Sequence, residues 1–567
     1  MSNEALANGL IAHWPFRQDF EDRAGHGLSV RNHGVKLGAE GPAGRSGAAL
    51  FNGKDAYLEV EHHPVLNLAT EDFSVAGWVY TEANRSDVVG NIVSKFDPHT
   101  RRGMQLYMLS STGVTSTAQP NYRNLHFGID NARFDRAWAD CGRPGNAVQI
   151  MALTVAGGAL YASTLEIGAQ EMGHLWRYEG NGQWLDLGNP QGCNTISSIV
   201  EFDGQIYCGL GRYIGQGSDL GDLPNRIPGG QVYRLEADGR WVFCGHPGAE
   251  DATPEDDHLP DFSQHVHAKS PEGVATSAFS TGKADDVIGL TVYRGNLYCT
   301  SHHRRGAFVY EGGQNWKYIG PDERILSFTV YHDHLYALIN GGPVYRYEGG
   351  AEWTHCGRPE KAIQSYSAVT CGGQLYIGTW PEAEVYRYDG EKTWTPITKE
   401  GRVGYERELM ATALYNGKVY IGSLPMANIW RMDGRDFTFV GNLDATATSL
   451  RRVWSMAVYQ GRLFAGTLPS GRVYSIEAGK LATWDHVFPA GWHHLAAIKH
   501  HDVLQLYVDG GLVASAAGIR PDGYNLDNEQ PLQIGFGAYD YFKGSMSDLR
   551  LYRRALTVGE ITQLATA

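Results

Sequence analysis

The run Ser301-His302-His303-Arg304-Arg305 packs acid–base and anion-binding side chains into five consecutive positions. An imidazole with an ordinary pKa of about 6.5 exchanges protons at neutral pH, so His302 and His303 are candidate bases. Tyr213 is the candidate acid. Arg212, Arg226, Arg304 and Arg305 offer planar guanidinium forks that suit a carboxylate or a sulfate. A second set recurs at the starts of apolar runs: Gln149, Thr195, Asp286, Arg324, Tyr366, Arg407 and Arg452. Its three arginines favour an anionic ligand, unless Asp286, Glu323 or Glu408 neutralises them. Together these residues point to proton transfer on an anionic substrate. His258, His265 and His267, with Asp256 and Asp257, form a weaker constellation. His-x-His spacing puts both rings on one side of an extended strand, as a metal site requires. The pairs His62-His63, His332/His334, His493-His494 and His500-His501 are read as structural or surface residues.

The elements that hold these residues repeat. Between residues 148 and 478 one unit recurs: an apolar strand, a tight glycine turn, Leu-Tyr-x-Gly-Thr, a variable loop, Val-Tyr-Arg-Tyr, an acidic-Gly turn and a Trp-containing tail. The second-strand aromatic falls at Tyr161, Tyr207, Tyr298, Tyr336, Tyr376, Tyr420 and Phe464. A spacing of roughly 40–45 residues with several short strands per unit predicts a β-propeller. The tails lie at Trp138, Trp184, Trp241, Trp316, Trp353 and Trp394, with Phe437 in the seventh place. Trp138-Ala-Asp-Cys-Gly142 precedes the first repeat, so it is expected to complete the last blade and close a ring of seven. Glycine follows the same logic. The chain holds 71 glycines among 567 residues, well above the usual ~7%, and they cluster in turns.

The chain ends carry a different, period-2 pattern that predicts a β-sandwich. Its motifs are Gly9-Leu-Ile-Ala-His-Trp-Pro-Phe16, Phe73-Ser-Val-Ala-Gly-Trp-Val79, Trp492-His-His494, Leu506-Tyr-Val-Asp-Gly510 and Leu549-Arg-Leu-Tyr552 followed by Ala555-Leu556. In kind and order these resemble the laminin-G-like, concanavalin-like jelly roll. Ser547-Asp548 departs from the acidic pair usual in that family. The resemblance implies an all-β chain in which a seven-bladed β-propeller is inserted into a laminin-G-like jelly-roll β-sandwich. The expected division is residues 1–131 for the first half of the sandwich, 132–484 for the propeller (132–142 being its closing strand) and 485–567 for the second half. Trp484 could instead be an eighth tail. Family members often bind sugar or calcium, but no complete set of oxygen ligands is visible by spacing.

The propeller's two faces differ. Turns between strands one and two are tight, whereas the opposite face carries a long loop from Gly209 to Gly230, a longer connection from about His246 to Asp286, and His302–Arg305. Long loops on a rigid scaffold are where function concentrates, so this face is the expected site. The Val-Tyr-Arg-Tyr-x-Gly-Gly-x-x-Trp units are similar to seven-bladed propellers of carbohydrate-active enzymes, in character nearest to ulvan lyases, rhamnose–glucuronate lyases and a rhamnosidase. That resemblance implies a polysaccharide lyase acting on a uronic acid, with Arg neutralising the carboxylate and His and Tyr moving the protons. A glycoside hydrolase on the same scaffold and a non-catalytic lectin are the alternatives.

The formal net charge of −14 argues against nucleic acid as a partner. An anionic oligo- or polysaccharide remains compatible, because a local basic pocket can oppose the global sign. No P-loop, Rossmann fingerprint, serine elbow or zinc-protease helix occurs. No cofactor is required by the expected chemistry, though a structural calcium or zinc is compatible with it. No apolar run is long enough for a membrane helix, so no membrane partner is expected. The first residues lack a secretory leader pattern, and seven unpatterned cysteines suit a reducing compartment. A cytoplasmic protein is expected as the sequence stands, or a secreted one if a leader was removed. The oligomeric state is left open.

Overall fold

The computed structural model describes residues 3–43, 47–83, 90–111, 119–133, 137–213, 218–249, 283–520 and 523–566. Strands dominate. Two α-helices occur among the described residues, Asn3–Ala7 and Val558–Thr566, and none is long and apolar enough to cross a membrane. Two bodies of sheet are present, a two-layer sandwich and a propeller-like ring.

The sandwich is built from both ends of the chain. One sheet runs in the order Lys36–Ala39, Ala48–Asn52, Lys543–Tyr552, Phe73–Thr81, Gly491–His500, Val503–Val508 and Gly511–Ala517, with Leu10–Trp14 also on Lys543–Tyr552. The C-terminal strand Lys543–Tyr552 lies between two N-terminal ones, so neither half could complete the sheet alone. The second sheet runs Val30–His33, Tyr57–Val60, Leu532–Ile534, Gly90–Asp97, Arg102–Ser111, Asn121–Asn131 and Lys480–Trp484. Alternation along these strands sends Trp14, Phe51, Phe73 and Phe127 into one core, which Phe488 and Phe542 join from the segments beside the strands. Each such burial stabilises by about 1.5–3 kcal/mol. Trp484 pairs with Leu125 and packs against that core. It is neither the last propeller residue nor an eighth tail, because its strand hydrogen-bonds to the sandwich.

The ring contains five four-stranded antiparallel sheets and one eight-stranded sheet. The expectation of seven separate blades differs in one place. The units at Ala147–Asp186 and Thr195–Phe243 are joined into the eight-stranded sheet through the single pair Leu165↔Thr195. Ala139–Asp140 pairs with Val473–Ile476, so a strand from before the repeats completes the last sheet. The inner strand Ala147–Ala156 packs against Arg452–Tyr459, and the ring closes. The repeated tails have a physical explanation. Five of the six tail indoles donate through Nε1 to a backbone carbonyl in the tail of the preceding unit: Trp184 to Cys141 (2.8 Å), Trp241 to Leu187 (3.1 Å), Trp316 to Cys244 (2.8 Å), Trp353 to Ile319 (2.8 Å) and Trp394 to Cys356 (2.8 Å), whereas the buried Trp138 Nε1 has no hydrogen-bond partner. The cysteines are free thiols; six are buried and Cys371 is half-buried.

The sandwich docks on the tight-turn face and plugs the ring's axis there. Gln119 Oε1 accepts from the Val292 amide (3.0 Å), the Pro120 carbonyl from the Val155 amide (2.8 Å) and Asn121 Oδ1 from the Val458 amide (3.0 Å). Three inner strands thus end on one sandwich segment. Asp130 adds a buried polar bridge, contacting Arg101 Nε at 2.5 Å and Asn416 Nδ2 at 2.6 Å. At the chain's return crossing, the buried Asp485 accepts from the Gln460 amide at 3.1 Å, while its Oδ1 has no hydrogen-bond partner. Burial pushes the Asp485 carboxyl up to about 7, against the Gln460 amide and the Thr483 hydroxyl, which pull it down. A carboxyl raised in the folded state favours folding when protonated, and that contribution is lost as pH rises from about 4 to about 7. Asp485→Asn is therefore expected to gain stability over the wild type through this window, by about 4 kcal/mol at most. Denaturant unfolding of both proteins from pH 4 to 8 checks this. Parallel profiles would contradict it.

Candidate functional site

The open face of the ring is shaped by a recurring β-bulge. Every inner strand shifts register against its neighbour near its start, for example between Ile150 and Ala152, Leu409 and Ala411, and Val453 and Ser455. A bulge bends its strand and re-aims the extra residue. The residues so placed include Met151, Ser197, Leu326, Tyr366, Met410 and Trp454. Tyr366 and Trp454 come from sheets that are not neighbours, yet their ring centroids lie 6.1 Å apart. The bulged residues therefore converge on a narrow central funnel.

His302 lies on one wall of this funnel and is buried. Its backbone amide donates to the Asp286 carbonyl (2.9 Å), and its Nδ1 lies 3.3 Å from Asp286 Oδ2. Asp286 Oδ1 accepts in turn from the Ser197 hydroxyl. The His302 ring is stacked between Tyr213 (centroids 6.0 Å) and His303 (4.6 Å). Burial pushes the His302 pKa down to about 4, His303 and Arg324 push the same way, and the Asp286 hydrogen bond opposes them. At neutral pH the ring is an uncharged imidazole. His303 Nδ1 is 2.9 Å from Asp285 Oδ2. Burial alone would raise the Asp285 carboxyl, but His303, Arg304 and Ser301 bring it down to about 2.

The wall that continues from His302 is cationic. Arg324 Nε donates to the His302 carbonyl at 2.6 Å, and the guanidinium feels Tyr366, Asp285, Asp286 and Tyr213. Arg452 lies over Trp454 (5.8 Å to the centroid) and donates through Nη1 to the Ser218 hydroxyl at 2.8 Å. Ser218 also lies 3.1 Å from the Tyr213 hydroxyl. Ser218 thus links Tyr213, just after the second repeat's strand Gln205–Gly211, to Arg452 of the last repeat. Between the arginines sits Glu408. It is buried, its Oε1 has no hydrogen-bond partner, and burial pushes its carboxyl up to about 7 against Arg452 and Arg407. Burial and Glu408 raise Tyr366, which stays protonated at neutral pH. Gln149 is buried with both amide atoms unpartnered. Buried polar groups without a partner call for a water, an ion or another polar group to satisfy them.

The structure brings together His302, His303, Tyr213, Arg324, Tyr366 and Arg452. It separates others. Arg226 is exposed and paired with Asp222 (2.9 Å), and Arg305 pairs outward with Asp322 (2.8 Å). Arg212 is half-buried, and Arg304 is buried with Nε 3.3 Å from the Lys283 carbonyl. Arg407 is exposed, and the funnel position belongs to its neighbour Glu408. Adjacent residues of an extended chain point to opposite sides, so reading the strand start one residue early exchanged a cation for a carboxyl. The sequence reading named Glu408 only as a possible neutralising partner, and did not single out Trp454. Aligning Glu408 with Arg452 and Gln149 by their Leu424, Leu468 and Leu165 partners would have found the first. The candidate ligands His258, His265 and His267 lie outside the described residues. Among the described residues, Asp72, His500 and His501 place ligand atoms within 4.8 Å of one another at the sandwich surface. Lys499 Nζ, 3.5 Å from Asp72 Oδ1, opposes a cation there.

Residues 453–562 match the sequence model of the concanavalin A-like lectin/glucanases superfamily. This span runs from the last ring sheet through the C-terminal strands of the sandwich, which is thus a concanavalin-like domain. No curated protein matches the chain. Among solved structures, the chain is similar to the computationally designed Ika8 protein (10% identity, 71% of this chain, 99% of that chain, TM-score 0.36). It is also similar to YCF48 bound to D1 peptide (10%, 65%, 100%, 0.40) and to the WD40 β-propeller domain of Doa1 (9%, 60%, 96%, 0.37).

The depressed His302 pKa is directly measurable. In a histidine-labelled NMR titration the His302 ring is expected to stay neutral from pH 8 to about 5 and to protonate only near 4. Titration near 6.5 would show a solvated imidazole and remove the buried Asp286–His302 pair.

Proposed function

We propose that the ring is a seven-bladed propeller, the eight-stranded sheet counting as two blades. We propose further that its funnel belongs to a polysaccharide lyase acting on a glycan that contains uronic acid. One observation carries this reading: a neutral His302 oriented by Asp286, stacked on Tyr213 and bordered by Arg324 and Arg452. A carboxylate seated against the arginines loses its negative field, which acidifies the C–H beside it. With Nδ1–H directed to Asp286, the His302 Nε2 lone pair takes that proton. The C–H electron pair becomes the C=C bond, the glycosidic C–O bond at the β-carbon breaks, and the leaving oxygen takes a proton from Tyr213. The products are an unsaturated uronate and a free hydroxyl, with no water consumed.

Glu408 favours a second reading. A buried carboxyl held protonated near neutral pH is the usual general acid of a glycoside hydrolase. One assay separates the two. Incubation with uronate polysaccharides is expected to raise the ultraviolet absorbance of the unsaturated product. His302→Asn is expected to lower kcat/KM by about 10²–10⁴. Release of reducing ends without that absorbance, abolished by Glu408→Gln and retained in His302→Asn, would replace the lyase by a hydrolase.

A further inference from the structure

A second departure from the repeat lies on the tight-turn face. In six units the turn between strands one and two ends in glycine: Gly158, Gly204, Gly295, Gly373, Gly417 and Gly461. All six have positive φ, from 70° to 83°. In the remaining unit the turn is His332-Asp333, with φ of 46° and 64°. An ordinary residue held in the left-handed region marks a position where the side chain is needed. Asp333 has a clear use. Its Oδ2 lies 2.5 Å from Lys543 Nζ of the sandwich and 3.6 Å from Arg294 Nη2. It clamps the sandwich against this unit.

The clamp leaves a cavity of about 450 Å³ between the two bodies. That volume falls within the ~300–1,000 Å³ range of small-molecule sites. Its lining includes the cations Lys54 from the sandwich and Arg346 and Arg387 from the ring, the imidazoles His332 and His334, and the carboxylates Asp389 and Glu391. The two arginines are held along the wall by Glu348 (2.8 Å) and Asp389 (2.6 Å). His332 is stacked on Tyr331, with ring centroids 3.9 Å apart, and its Nε2 is buried without a hydrogen-bond partner. Burial and Lys54 lower His332, and Asp55 opposes them; burial, Arg346 and Arg294 lower His334, and Glu348 opposes them. Both imidazoles therefore sit in a net positive field.

We propose that this cavity is a second ligand site, which takes an acidic saccharide. The anionic group is drawn to Lys54 and the neighbouring guanidiniums. The flat Tyr331–His332 stack offers an apolar face for the sugar ring, and the Asp389 and Glu391 carboxylates that also line the cavity accept from sugar hydroxyls. The proposal does not depend on the lyase reading, because the funnel lies on the opposite face of the ring.

Calorimetric titration of the full chain with sodium glucuronate tests it, with glucose and sodium sulfate as controls. Saturable glucuronate binding is expected, weakened at least tenfold by Lys54→Ala and by His332→Asn, and unchanged by Lys36→Ala, an exposed sandwich lysine outside this cavity and the funnel. Asn already occupies the equivalent turn position at Asn416, so His332→Asn has a precedent within the ring. Thermal melts of each variant confirm folding, and Lys54→Ala alters an exposed side chain only. Glucuronate binding retained at full affinity in both the Lys54 and His332 variants would assign the ligand to another place and overturn the proposal. So would no saturable binding, or equal affinity for glucose or for sulfate.

Discussion

Three inner-strand ends of the ring depend on one sandwich segment, Gln119–Asn121, to satisfy backbone amides that would otherwise be buried unpaired. A buried amide without a partner costs about 1–3 kcal/mol, so the plug is a condition of the ring's stability and not an ornament. It also has a directional consequence. With the axis stopped at the tight-turn end, the central funnel lies toward the other face. The bulged inner-strand starts and His302 lie there.

The same docking explains why the chain is threaded as it is. The ring closes because Ala139–Asp140, just after the first sandwich half, pairs beside the last repeat. That closure brings the two ends of the inserted segment together, so that Asn121–Asn131 and Lys480–Trp484 can pair in one sheet. The sandwich then completes itself by placing Lys543–Tyr552 between two N-terminal strands. Each body thus requires the other's geometry. The polar bridge Arg101–Asp130–Asn416 spans the seam between them.

In the funnel, the decisive effect is desolvation. His302 is neutral because burial outweighs its carboxylate partner, and Glu408 holds its proton because burial outweighs two arginines. Asp285 shows the opposite outcome in the same wall. There a close imidazole, a guanidinium and a hydroxyl together outweigh burial. One base-like and one acid-like group at neutral pH arise from the same physical cause acting on side chains of opposite charge.

Much of this architecture is legible in the residues. Period-2 alternation and motif order mark the sandwich, and the spacing of Tyr161 to Phe464 marks the ring. The displaced tail at Trp138 marks its closure, and the irregular loops mark the face on which His302 lies. These features are local or periodic, so they survive in a linear string. The contents of the funnel do not. Whether Arg407 or Glu408 enters it turns on a one-residue bulge. Whether Arg226 and Arg305 serve a ligand or their neighbours Asp222 and Asp322 turns on side-chain reach. Whether Trp484 belongs to ring or sandwich turns on which strand edge is free to accept its hydrogen bonds. Composition and period determine that strands form and repeat; burial, register and pairing across hundreds of residues decide which side chains are desolvated together, and those exist only once the chain is closed on itself.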